Sequence, residues 1–415
     1  MRNRFSLKNY GPGLLYAATA IGVSHLVQST RAGAGWGLAL TWAIFFAMLL
    51  KYPFFEFGSR YVAGTGQTLI EGYRRQGMWT LWLYIGITVG TMFFVEAAVT
   101  LVTASLFAHV FGLGMTAAGW SAVLLAICAV ILIFGRFHLL DSIIRVVIVL
   151  LFVSTIAALA LATGKADFSL LSLRQEINIM QPELLVFSIA LMGWMPTSLD
   201  IPVWQSIWVL AERKEQRVRD AADIMLDFNV GYIGTGILAF CFMGLGALVM
   251  YGSGEQLSAG STGFAAQFIG LYVDTLGPWS FWIIALAALT TMWSTTLTVL
   301  DAFPRVLGIA LETAFKLPEN ELRSKRFRIG LMVLLGVGSY VIIAYMTGNL
   351  KGMVDFATTL SFVVAPILAI FNYRAVTGKE MPADMRPKPW LKTLAVVGWL
   401  YLTAFTLFYL WMVLK

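Results

Sequence analysis

Three stretches of the 415-residue chain set polar or ionisable side chains among almost wholly apolar neighbours. The first is Gly22-Val23-Ser24-His25, inside GPGLLYAATAIGVSHLVQSTRAGAGWG. The second runs from Gly193 through Met195, Pro196, Thr197 and Ser198 to Asp200, inside PELLVFSIALMGWMPTSLDIPVWQSIW. The third is Glu96, in TMFFVEAAVTLV. An acid in such surroundings costs at least a few kcal/mol to place, which makes Asp200 and Glu96 candidates for substrate, proton or gating chemistry. Each has a plainer alternative. Ser198 or Asp200 at the start of a half-helix can accept free backbone N–H groups, and Glu96 can hydrogen-bond a neighbouring helix.

The elements that must hold these residues follow from composition. Hydrophobic residues make up 59% of the chain and charged ones 12%, against roughly 25% charged in soluble domains. The apolar runs follow one another with short polar joints, so one all-α, polytopic membrane domain over 1–415 is expected. A span needs about 20 apolar residues. Eleven segments qualify, near 12–33, 37–60, 79–109, 116–135, 139–163, 183–210, 227–251, 278–311, 327–347, 352–375 and 390–414.

Lys and Arg gather on cytoplasmic joints, so their density should alternate. It does: Arg2, Arg4 and Lys8, then Arg74 and Arg75, Arg136, Arg213 with Lys214, Arg217 and Arg219, Arg323 with Lys325, Arg326 and Arg328, and finally Arg374, Lys379, Arg386 and Lys388. The intervening joints FGLGMT, GSGEQLSAGSTG and TGNLKG hold one lysine and Glu255, while the joint 164–182 is mixed. A multi-pass protein of the plasma (inner) membrane is expected, N-terminus cytoplasmic and C-terminus outside. The formal charge of +7 belongs to this pattern, and no nucleic-acid partner is expected.

Several functions lack their signatures. The chain has no phosphate-cradling loop, no H-E-x-x-H and no G-x-S-x-G, so neither an enzyme nor a cofactor is expected. Without a nucleotide-binding segment, transport must draw on a gradient or run downhill. Cys128 and Cys241 stand alone in apolar runs and read as packing residues. The basic start MRNRFSLKNY leads into no cleavage site, so no cleaved signal peptide is expected.

Spans one and six should unwind, because glycine weakens a helix and a mid-helix proline removes a backbone bond. Irregular backbone at membrane depth is tolerated where it is buried in protein or lines a wet cavity. Two such breaks five spans apart point to inverted repeats, spans 1–5 (about 11–163) and 6–10 (about 183–375) with 390–414 as an extra span, and to a substrate site between them. The alternative is a pair of kinks that only pack.

At these residues the chain resembles the Nramp family of proton-coupled divalent-metal transporters. GPGLLYAATAIGVSHLVQSTRAGA follows that family's first-helix frame, Met195-Pro196 stands at its Met-Pro-His motif, and WSTTLTVLDAFPRVL and RFHLLDSIIRVVIVLLF look like its eighth and fifth spans. The resemblance implies a LeuT-type fold, rocking alternating access and a site between spans one and six. It also shows departures. Gly22-Val23-Ser24-His25 replaces the family's Asp-Pro-Gly-Asn, whose Asp and Asn are metal ligands. Thr197 stands at its histidine. Glu96 matches a glutamate of its proton route, and Phe93 takes the place of that route's aspartate.

Without the first-helix acid, Mg²⁺ or Ca²⁺ is poorly served, and a softer ion could use His25 nitrogen, Met195 sulfur and freed carbonyls. The alternatives are a His25 tied between helices and a Met195 that fills a core gap. Two cargoes follow: a divalent transition metal with an altered ligand set, with protons as possible coupling ion, or a small organic solute or anion bound at half-helix N-termini. The expected binding residues are Gly22, Ser24, His25, Gly193, Met195, Thr197, Ser198 and Asp200, with Glu96 and Asp200 on any proton path. Asp301 and Arg305 should pair along one helix face, and Glu56, Asp141, Arg145 and Asp355 should find partners the sequence does not name. His109 and His138 read as interfacial, and Gly86 with Gly90 as a close helix contact.

Overall fold

A computed structural model describes residues 12–135, 138–164, 181–214, 220–253, 257–317, 325–346 and 348–414, except for the side chains of 12, 14, 138–145, 147, 148, 214 and 262. Among the described residues the chain is helical, with no strand. The helices are α1 (Pro12–Ala20), α2 (Thr30–Trp36), α3 (Thr41–Thr65), α4 (Leu69–Gln76), α5 (Met78–Phe111), α6 (Ala117–Phe134), α7 (His138–Thr163) and α8 (Pro182–Gly193). They continue as α9 (Ile201–Lys214), α10 (Ala221–Val249), α11 (Ser261–Leu276), α12 (Phe281–Phe315), α13 (Lys325–Met346), α14 (Leu350–Thr377) and α15 (Pro389–Val413).

Each of the eleven expected spans falls on one helix or on one broken pair, α1 with α2 and α8 with α9. Among the described residues, seven helical stretches are long and apolar enough to cross a membrane. The broken pairs miss that length, and α3 carries Lys51, Glu56 and Arg60. Two helices were not expected. In α4, the Thr68 N–H donates to Glu71 Oε2 at 2.7 Å, and Arg74 and Arg75 close the last turn, the charge order a helix dipole favours. α11 lies between α10 and α12.

Contacts join several of the basic joints to one another. Arg75 pairs with Glu380 at 2.8 Å, Arg60 donates to Met385 O at 3.0 Å, and Arg213 to Val62 O at 2.7 Å. These bonds gather the expected cytoplasmic joints. Between two joints expected outside, the Lys351 N–H donates to Ala259 O at 3.3 Å. Arg2, Arg4, Lys8, Arg136, Arg217, Arg219, Glu255, Arg323, the joint 165–180 and the side chains of Lys214, His138, Asp141 and Arg145 lie outside the described residues.

Lipid offers helices no hydrophobic drive to associate, so close packing and interhelical hydrogen bonds must hold them. The first broken span lies against α10 with backbones touching: a Cβ on Gly33 would stand 1.9 Å from Met243 O, and one on Gly246 2.3 Å from Thr30 O. Gly86 and Gly90 do not act this way. Nothing lies within 4 Å of a Cβ at either, because that face of α5 is turned outward. Thr103 and Thr296 bond at 2.8 Å between α5 and α12, and Thr155 and Tyr272 at 2.9 Å between α7 and α11. Large apolar side chains such as Trp82, Ile233, Leu286, Val337 and Leu400 face outward, where lipid tails solvate them.

Candidate functional site

The two breaks differ in kind. The first is a bend at Ile21 and Gly22 that passes into a π-helical turn, Ser24–Ser29, before α2 begins. The N–H groups of both His25 and Leu26 converge on Gly22 O, at 3.1 and 3.0 Å. Wide turns of this type are frequent at functional positions. The second is unwound over 194–200, and its oxygens point inward to one buried cation. Lys51 Nζ of α3 lies 3.0 Å from Met192 O, 3.1 Å from Gly193 O, 2.9 Å from Met195 O and 3.1 Å from Thr197 O.

Ser24 joins the breaks, its hydroxyl lying 3.2 Å from Pro196 O and 2.9 Å from Ala20 O. Between them lies a cavity of about 30 Å³, lined by Gly22, Ser24, Thr197 and Ser198 together with Thr19, Thr295, Trp194, Trp204 and apolar residues of α5 and α12. Five of its lining residues carry a hydroxyl and none is charged. Trp194 is fixed by a 2.7 Å bond to Ser361 of α14, and Thr295 by a 3.0 Å bond to Thr291 O. Gly22 suits this crowding, since a Cβ there would stand 3.1 Å from the Thr295 methyl.

His25, Gly193, Met195, Asp200 and Glu96 are buried near this cavity without lining it. A Cβ on Gly193 would stand 2.0 Å from Thr358 O, so that glycine serves the approach of α8 to α14. His25 Nε2 lies 2.9 Å from Thr235 O, a carbonyl that only accepts, so the proton is assigned to Nε2. Nδ1 lies 2.7 Å from Ser24 Oγ and, in a neutral ring, shares that hydroxyl's single proton with Ala20 O and Pro196 O. Both nitrogens are thereby engaged, one with α10 and one with the bend. Replacing His25 by alanine should leave the buried Thr235 carbonyl short of a donor, lowering stability by about 1–3 kcal/mol. Thermal denaturation in detergent checks this, and an unchanged midpoint would show the bond is not holding the bend.

Neither Asp200 oxygen has a partner of full hydrogen-bond geometry, although Ser198 and the phenols of Tyr73 and Tyr84 are its electrostatic neighbours. The cap of α9 is made by backbone instead, with the Val203 N–H donating to Asp200 O at 3.0 Å. Glu96 receives the Thr100 hydroxyl at 3.0 Å on Oε1, and its Oε2 is unpaired. Among the described residues no three His, Cys, Asp or Glu side chains converge as a metal site would require.

Three ion pairs lie among the other charges of the spans. Arg31 of α2 grips Asp355 of α14 through two bonds, of 2.7 and 3.0 Å. Glu56 pairs with Arg60 one turn on, and Asp301 with Arg305 at 2.6 Å, as its spacing foretold. Lys51 and Arg31 are the two residues sequence reasoning passed over. An intramembrane lysine flanked by apolar residues, in AMLLKYPFF, was the available signal.

A helical membrane body with two interrupted spans and a small cavity between them is the framework of a transporter. The chain belongs to the Nramp family: the family model for natural resistance-associated macrophage protein-like sequences matches residues 13–414. An uncharacterised protein of Pasteurella multocida is 34% identical over 402 residues, covering 96% of this chain and 91% of that protein. Crystal structures of a manganese transporter of Eremococcus coleocola share the fold with a TM-score of 0.71 at 13% identity, over 96% of this chain and 85% of that one. MhsT in complex with L-phenylalanine is similar with a TM-score of 0.63 at 14% identity, over 97% and 99% of the two chains. The architecture is the LeuT-type fold.

Proposed function

We propose that the chain is a metal-ion transporter of the Nramp type that works by alternating access and passes its cargo through the cavity between the breaks. The observation that carries this reading is the size and lining of that cavity. About 30 Å³, with five hydroxyl-bearing residues in a largely apolar wall, accepts an ion or a couple of water molecules and excludes an amino acid. The Eremococcus coleocola relative of the same fold is a manganese transporter, which supports a divalent cation. Neutral oxygens alone would hold such an ion weakly. Asp200, two residues past Ser198 in the wall, is a buried carboxylate with no full hydrogen bond on either oxygen and is the acid we propose is recruited. An oxygen set with one acid suits Mn²⁺ better than a soft ion, and His25 and Met195 become ligands only if the breaks rearrange.

The halves 11–163 and 183–375 are proposed as the inverted repeats that rock, with 390–414 outside them. Loop charge supports a cytoplasmic N-terminus and an external C-terminus in the plasma membrane. Glu96 and Asp200 are the acids available to couple protons, and acidification of the vesicle lumen that persists in Glu96→Gln would remove Glu96 from that path.

Purified protein titrated with Mn²⁺, Fe²⁺, Co²⁺, Cd²⁺ and Mg²⁺ by calorimetry, and assayed in proteoliposomes, tests the cargo. Binding and uptake of Mn²⁺ are expected. If no ion binds or moves at millimolar concentration, the metal reading is lost. The uncharged cavity wall then favours the second reading, a small polar organic solute admitted by a wider conformation.

A further inference from the structure

Lys51 is fully buried at the middle of α3, and the proposed transport cycle gives it no task. None of the ion pairs among the described residues includes it. Its compensation comes from backbone: four carbonyl oxygens within 2.9–3.1 Å, all from the end of α8 and the unwound segment that follows. An ammonium has three N–H groups, so four oxygens exceed what directed bonds can satisfy one to one. Oxygens of one segment converging on one point is the coordination of a cation. The C-terminal end of α8 adds partial negative charge there, and the Phe55 ring lies 5.7 Å away on the same helix as Lys51.

We propose that the second break is built around a monovalent-cation site which Lys51 keeps permanently filled. Removing the side chain should make the break depend on a free cation of ammonium or potassium size, the N···O distances being long for a smaller ion. The filled cup has a consequence for the cavity. Thr197 turns its carbonyl to Lys51 and forms part of the cavity wall, so the tethered charge sets the position of that residue. Lys51 is thus a positioning residue for the wall and frees the break from any co-ion in solution.

The test uses full-length protein in detergent and reads thermal stability, which does not depend on the cargo. In N-methylglucamine chloride, Lys51→Ala should lose roughly 10 °C of its unfolding midpoint. Ammonium, methylammonium or potassium chloride should restore most of that loss, while the unsubstituted protein responds to none of them. Lys51→Met fills the same volume without charge and should stay low in every salt. A Lys51→Met protein as stable as the parent overturns the proposal, because the cup then needs no cation. So does a Lys51→Ala protein that is indifferent to the cation, or one that cannot be recovered folded in any of these salts.

Discussion

Asp200→Asn is expected to lower cation uptake by more than a hundredfold while leaving the fold as stable as before, or more so. Five hydroxyls on the cavity wall replace part of a hydration shell but supply no net charge. A cation held there without an acid resembles a buried ion stripped of its partner, a loss worth about 3–5 kcal/mol, or two to three powers of ten in affinity. Stability should move the other way. Both Asp200 oxygens are buried beside the cavity, outside its wall, without full hydrogen bonds, so the carboxylate is a cost to folding that an amide reduces. A residue whose only task was to cap α9 would behave oppositely, losing stability first. Uptake in proteoliposomes together with the unfolding midpoint distinguishes the two, and normal uptake by a stable Asp200→Asn protein would remove Asp200 from the cargo path.

What the sequence made legible follows from which signals are local. Apolar length acts within one segment, so eleven spans could be read directly, and the contacts between Arg75 and Glu380 and between Arg60 and Met385 O bring two of the basic joints together. The second break was legible because Pro196 and Gly193 announce it in covalent terms. The first was legible only as a weak point: Gly22 marks the bend, but the π-helical turn after it is tied to α10 through His25 and Thr235 O. Gly22 itself shows the limit of carrying a motif across. Its missing acid is visible in the sequence, whereas the Thr295 methyl that takes up the room beside it comes from another span. The partners of Asp355 and Lys51 were hidden for the same reason, since each reaches across more than a hundred residues.

Arg31→Ala should open the cavity toward the face opposite the N-terminus. Arg31 follows Ser24 by two turns and joins three elements there. Its guanidinium holds both Asp355 oxygens and Gln28 Oε1, the last at 2.8 Å, and lies 4.9 Å over the Phe187 ring of α8. Gln28 adds bonds to Asp355 and Thr358, at 3.0 and 3.3 Å. A bidentate, stacked arginine of this kind is not replaceable by a point charge, and α2 cannot swing from α14 while it persists. Asp355 is partly exposed, so the network falls between the weak surface pair and the costly buried one. About 1–3 kcal/mol, a factor of roughly ten to a hundred in the closed-to-open ratio, is the expected share. A cysteine reporter at the cavity wall (Thr197→Cys, with Cys128 and Cys241 replaced by alanine) should then label that much faster from that face. Asp355→Ala should give the same acceleration, and the double variant little more, because both substitutions break one network. Equal labelling in all four proteins would mean that the cavity is closed on this side by packing alone.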